Sequence, residues 1–152
     1  MPRKDVIEVP YLDLVHLPYK RGGTTMEGLD CRGVTLIVLQ RMGRTVPPGA
    51  FPATLDQMLS DCGSIAARAD VEEVVDPRAP WAKHWKRVRL ASANVGDVAF
   101  CYDGEEAHVA PLLSKPKHGR PSYVLSATRE HGVVVVPTAK LKNLIGFYAL
   151  VP

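Results

Sequence analysis

Two residues able to do covalent chemistry, Cys31 and His108, stand where a fold could bring them together. Cys31 follows a glycine-rich approach, GGTTMEGLD, and opens a run, Cys31 to Met42, whose Val34, Leu36, Ile37, Val38 and Leu39 cover most of a helix surface. A thiol in the first turn of a helix meets unpaired backbone N–H groups and the positive end of the macrodipole. Both favour thiolate, so a lowered pKa and a nucleophile made without a metal are expected, and the same N–H groups would serve an oxyanion. The plain alternative is a small core residue, the fate of most free cysteines. His108 opens HVAPLL, which follows GDVAFCY across an Asp103-Gly104 turn. A rigid sheet would thus hold its imidazole against the helix start as a general base, the alternative being an exposed or structural histidine.

The elements needed to position this pair can be read from periodicity and punctuation. Asp30 is a candidate N-cap and Gly43 a stop for the first helix, which should be buried because it is apolar on so many sides. After the Val46-Pro47-Pro48-Gly49 turn, Leu55, Met58, Leu59, Cys62, Ile65 and Ala66 recur at the spacing of an amphipathic helix from Thr54 to about Ala69. Asp76 to Trp85 carries Pro77 and Pro80 and reads as a loop. Strand candidates follow at Arg87 to Ala91, Asp97 to Tyr102, His108 to Leu113, Tyr123 to Ala127, Val133 to Pro137 and Phe147 to Val151, with turn signals at Asp103-Gly104, His118-Gly119 and His131-Gly132. Helices first and strands second predict an α+β fold, with N-terminal helices packed on one face of an antiparallel sheet.

The chain has 152 residues, 46% of them apolar and 23% charged, so a single domain with its own core is expected, and a disordered tail, a collagen or a multidomain enzyme is excluded. A formal net charge of +3 is too small an excess to point to nucleic acid. Cys31, Cys62 and Cys101 form no CxxC pair, so neither a metal site nor a cofactor is expected, and an odd count argues against a secreted disulfide scaffold. The N-terminus, MPRKDVIEVPYLDL, has charges with no apolar segment after them, and the stretch from Gly33 to Leu39 is too short to span a bilayer. Synthesis in the cytoplasm without a signal peptide is the expectation.

Three blocks of sequence resemble the NlpC/P60 cysteine peptidases, papain-like enzymes that cleave the stem peptides of bacterial peptidoglycan. LPYKRGGTTMEGLDCRGVTLIVLQRMG, Leu17 to Gly43, is similar to the family's Pro-Tyr, Gly-Gly and Asp-Cys-Ser-Gly pattern. VGDVAFCYDGEEAHVAPLL, Val95 to Leu113, resembles its Gly-Asp-Leu-Val-Phe strand and the strand bearing the base. SYVLSATREHGVVVV, Ser122 to Val136, resembles the strand whose polar residue orients that base. The resemblance implies a papain-like fold with Cys31 as nucleophile, His108 as general base and acid, Ser126 as orienting residue, and Tyr19, Asp30 and Arg32 beside the substrate. Gly22 and Gly23 are read as backbone that turns tightly or passes close to the cleft.

Departures from the pattern sharpen the expectation. Arg32 replaces the usual Ser, placing a long cation near the groove. Pro111 removes a ladder donor, so the base strand should be at an edge or bulged. Ser126 stands where His, Asn, Gln or Asp is usual, and a short neutral hydroxyl should orient the imidazole less firmly, so weak activity is expected. His131 is a second candidate orienter. His118 and His16 are read as solvated, Cys62 and Cys101 as inert core residues, and WAKHWKRVR, Trp81 to Arg89, as a loop packing its tryptophans inward. The resemblance implies hydrolysis of a stem-peptide amide, with peptidoglycan and the proteins of a phage tail or similar injection particle as partners. A catalytically weak or inactive adaptor subunit of a tail-tip assembly is the alternative, and a small-molecule amidase or acyltransferase a third.

Overall fold

The computed structural model describes residues 10–52, 54–58, 81, 84–104, 106–115 and 120–151. A small antiparallel hairpin, β1 (Thr24–Thr25) and β2 (Gly28–Leu29), leads into helix α1, Cys31–Arg41. Asp30 caps the helix, its Oδ1 accepting from the Gly33 N–H at 2.7 Å, which satisfies one of the donors that the first turn leaves over. The other end closes at Gly43, whose φ of +75° lets the Arg44 N–H fold back to the Leu39 carbonyl at 3.0 Å. Both ends fall where the sequence puts them.

The strands are β3 (Trp85–Val88), β4 (Val98–Asp103), β5 (Glu106–Pro111), β6 (Tyr123–Thr128), β7 (Gly132–Pro137) and β8 (Leu144–Leu150). All pairings among them are antiparallel, so the fold is α+β as expected. The sheet is not one continuous surface. A four-stranded sheet has the order β3-β8-β4-β5, a two-stranded sheet holds β6 and β7, and between β5 and β6 there is an isolated Leu112–Val124 bridge. Helix α1 packs against both β5 and β6, covering the line along which they part.

Side-chain burial explains this layering. Trp85, Phe100 and Tyr148 point into one core with Leu39 and Met58, and the Phe100 and Tyr148 rings lie 4.6 Å apart. Each such aromatic ring contributes roughly 2–3 kcal/mol by leaving water. A second core joins Leu14, Leu29, Val34 and Val38 to Leu125 and Val133, tying the N-terminal segment and α1 to β6 and β7. The segment before α1 also hydrogen-bonds to β7, through His16 N–H to the Val133 carbonyl at 2.8 Å and Val133 N–H to the Leu17 carbonyl at 3.0 Å.

Several boundaries differ from the sequence reading: β5 starts two residues and β8 three residues earlier than expected, and the largest departures surround β3. The loop expected to run to Trp85 ends earlier, because Trp85 already pairs with Leu150 at the edge of the sheet, and 90–92 form a 3-10 turn rather than the end of a strand. The core attracts Trp81 and Trp85, both buried, and this draws their segment onto the sheet. Of the second helix, residues 55–58 are helical and Thr54 Oγ1 accepts from the Gln57 N–H at 3.1 Å; its remainder, Cys62 and the His118-Gly119 turn lie outside the described residues.

Candidate active site

The nucleophile candidate owes its position to a backbone contact that tolerates no side chain. The turn at Gly22, with φ +72°, brings Gly23 against the first turn of α1, where a Cβ on Gly33 would sit 2.0 Å from the Gly23 carbonyl oxygen. Asp30 clamps the same contact from the other side. While Oδ1 caps the helix at Gly33, Oδ2 accepts from the Gly22 N–H at 3.0 Å. Thr35 Oγ1 donates to the Cys31 carbonyl at 2.8 Å, one turn further along. Cys31 is thus held at the helix start by glycines behind it and a carboxylate beside it.

The partner strand supplies the next link through Pro111. Successive N–H groups of a strand point to opposite edges. Leu112 donates to Asp97, at the start of β4, at 2.7 Å, and Leu113 donates to Tyr123, at the start of β6, at 2.8 Å. Odd-numbered N–H groups along this stretch therefore face β6. Leu113 finds its ladder partner, Pro111 has no hydrogen to give, and the Val109 N–H lies near enough to the sulfur of Cys31 to pull its pKa down. A proline on the β6 side of β5 stops the ladder, and the thiol occupies the opening. The expected edge position of the base strand is found, with this as its consequence.

His108 precedes Val109, and its Nε2 lies 2.8 Å from Ser126 Oγ on β6. The bond reaches across the opening between the strands, and Ser126 is almost fully buried. Cys101 lies directly opposite His108 on β4, buried as the sequence suggests. His131, the second candidate orienter, is exposed and faces Glu130 at 3.7 Å, so the structure brings Ser126 and not His131 to the imidazole.

Electrostatically the thiol departs from the expectation of a lowered pKa. Burial pushes Cys31 up, and the neighbouring Asp30 carboxylate adds to the rise; the N–H of Val109, the Arg32 charge and the Arg32 N–H pull down without cancelling it. Desolvation outweighs the helix start here. The shift favours thiol over thiolate, and a positive charge beside the sulfur would oppose it.

A cleft of about 460 Å³ opens on the sulfur, lined by Tyr19, Arg21, Asp30, Arg32, Leu55 and Glu106 among others. The three residues assigned to the substrate side by resemblance all border it. Arg32 reaches over the cleft, its guanidinium donating to the Pro52 carbonyl at 2.6 Å, so it braces the wall that leads to Thr54 and Leu55. Three residues at or beside the cleft were not singled out from the sequence: Arg21 and Glu106, which line it, and Arg129, which pairs with Glu106. Arg129 donates to Glu106, and its guanidinium carbon lies 5.8 Å from the Tyr19 ring centroid; the Tyr19 hydroxyl first, then Glu106, hold the guanidinium still more firmly charged. Arg21 stands 3.8 Å from the same Glu106 oxygen. The Arg129 signal was its place three residues after Ser126, on the turn that must face the strand bearing His108.

Cys31 lines an open cleft at the helix start, and on the neighbouring strand His108 is bonded to Ser126; a thiol and an imidazole are the groups that nucleophilic attack on a carbonyl needs. Among the described residues no group of His, Cys, Asp and Glu side chains could hold a metal ion, and no helix is long and apolar enough to cross a membrane. No protein-family model matches the chain, and no curated protein does. Among solved structures, an NlpC/P60 family protein from Bacillus cereus is 19% identical to it with a TM-score of 0.47. That match covers 100% of this chain and 44% of the other, so the chain spans less than half the length of that protein.

Proposed function

We propose that the chain is a cysteine peptidase of the NlpC/P60 type that hydrolyses an amide bond in the stem peptide of peptidoglycan. The observation that supports this reading is a thiol at the helix start, lining the cleft, beside a strand whose His108 is bonded through Nε2 to Ser126 at 2.8 Å. The sequence blocks around these residues supply the substrate class. Cys31 passes its proton to Nδ1 of His108 and the thiolate attacks the amide carbonyl, forming a C–S bond. The N–H of Cys31 steadies the oxyanion, since the Gly33 N–H is already taken by Asp30. His108 then protonates the leaving amine, and water cleaves the thioester with His108 as base. Tyr19, Asp30 and Arg32 shape the substrate side, and Ser126 keeps the imidazole in line.

Digestion of purified peptidoglycan by the wild type, Cys31→Ala and His108→Ala, with released fragments identified by mass, tests the proposal. Fragments that disappear in both variants support it; identical fragments from all three overturn it. A phage tail or similar injection particle is the setting we propose, on the sequence resemblance, and mass spectrometry of purified particles tests that part. The raised thiol pKa favours a second reading, an adaptor subunit of such an assembly without catalysis, in which none of the three proteins releases fragments.

A further inference from the structure

At the site, β5 and β6 are no longer joined by ladder hydrogen bonds, since their pairing stops at the Leu112–Val124 bridge. Among the described contacts, side chains span the opening beyond that point at two places: His108 to Ser126, and Glu106 to Arg129. Glu106 is two residues before His108 on β5, so both side chains lie on one face of the strand. Arg129 is three residues after Ser126, on the turn from β6 to β7. The outer pair therefore closes the mouth of the same opening that the inner pair crosses. Tyr19, on a third element, places its ring under the guanidinium, 5.8 Å from centroid to carbon.

We infer that Arg129 is a positioning residue, a latch that draws the Ser126 strand toward the His108 strand and so keeps the orienting bond made. It touches neither the sulfur nor the imidazole and acts through Ser126. The inference rests on the reading of Cys31 and His108 as a working pair. Its logic is mechanical: a neutral hydroxyl bonded across an unladdered gap holds only as well as the gap is held, and the Tyr19–Arg129–Glu106 network holds it. Ion pairs this exposed are individually weak, and Glu106 and Arg129 side chains are 48% and 54% exposed, so a modest, salt-sensitive effect is expected.

The test uses alkylation of Cys31 by iodoacetamide at neutral pH, followed by peptide mapping, alongside kcat and KM for peptidoglycan hydrolysis. Arg129→Gln should slow alkylation and kcat about three- to fivefold with little change in KM. Arg129→Lys should recover most of the loss, and about 0.5 M NaCl should slow alkylation of the wild type while leaving Arg129→Gln unmoved. In a Ser126→Ala background Arg129→Gln should add nothing, because the residue it acts through is gone. Wild-type alkylation in Arg129→Gln despite a lowered Tm, or an undiminished effect in the Ser126→Ala background, overturns the latch. If the wild type leaves peptidoglycan intact yet Cys31 alkylation follows the expected pattern, the hydrolase reading falls and the latch stands.

Discussion

Replacing Ser126 by alanine removes a single oxygen, and the structure sets the size of the effect. That oxygen lies 2.8 Å from Nε2 of His108, in a position 3% exposed where little water can take its place. A neutral hydrogen bond of this kind is worth about 1 kcal/mol net, and the imidazole without it is free to leave the geometry needed for proton transfer. About 1 kcal/mol in the barrier is about a fivefold loss of kcat. KM should stay within about twofold, since Ser126 does not line the cleft. The assay is release of peptide from purified peptidoglycan under saturating and limiting conditions, with Tm recorded to show that the variant is folded. Ser126→Thr keeps the hydroxyl and should regain most of the rate. An unchanged kcat in Ser126→Ala, or a change confined to KM, refutes the orienting role; a loss as complete as that of Cys31→Ala shows that far more than one hydrogen bond depends on this oxygen.

Because burial pushes the Cys31 thiol up, His108→Ala should alkylate at neutral pH more slowly than an ordinary exposed thiol, and its rate should keep rising above pH 9, where an ordinary thiol levels off; the rate followed against pH by peptide mapping checks this. Gly33→Ala forces a Cβ onto the Gly23 carbonyl at 2.0 Å and should destabilise by about 1–3 kcal/mol in denaturant unfolding, with alkylation of Cys31 perturbed because the helix start must move. Burial likewise pushes the Asp97 carboxyl above its ordinary value, so the stability it contributes is present at low pH and is lost as pH rises through the raised value; Asp97→Asn should therefore raise Tm relative to the wild type at neutral pH, with the difference shrinking on acidification. Pro111→Val restores an N–H on the side facing β6, so the amide it introduces at position 111 should exchange slowly, while Cys31 alkylation falls as the opening narrows.

Much of this was legible in local chemistry. Asp30 and Gly43 mark the ends of α1 because capping favours a short side-chain acceptor at one end and a positive φ at the other, and each is supplied by one residue. The strands were legible from their alternation and turns, whereas the start of β3 was not, because Pro77, Pro80 and the basic residues around Trp85 disguise a strand whose buried face is one tryptophan and one arginine. Cys31, His108 and Ser126 were singled out by type and order. The meeting of His108 with Ser126 depends on how β5 faces β6, and that is set by the pairing of β5 with β4, which no single segment reveals. The thiol's pKa departs from the helix-start argument for a related reason: the helix start is a local feature, but the desolvation that overrides it comes from the core packed against Cys31. Arg129 and Glu106 meet only because two separate turns do.

The opening between β5 and β6 links these observations into one cause. An uninterrupted ladder would spend the Val109 N–H on a β6 carbonyl and leave no room for a sulfur at the sheet; Pro111 breaks the run one rung before that can happen. The cost is a seam without backbone hydrogen bonds, where Ser126 must reach His108 unaided by the sheet. A short, uncharged orienter is tolerable in such a seam only if the strands are kept from spreading, and helix α1 packed along it, with Arg129 and Glu106 at its mouth, does that. The substitution that weakens the imidazole's partner and the ion pair that closes the strands over it are thus two halves of one arrangement, and neither is intelligible from the site residues alone.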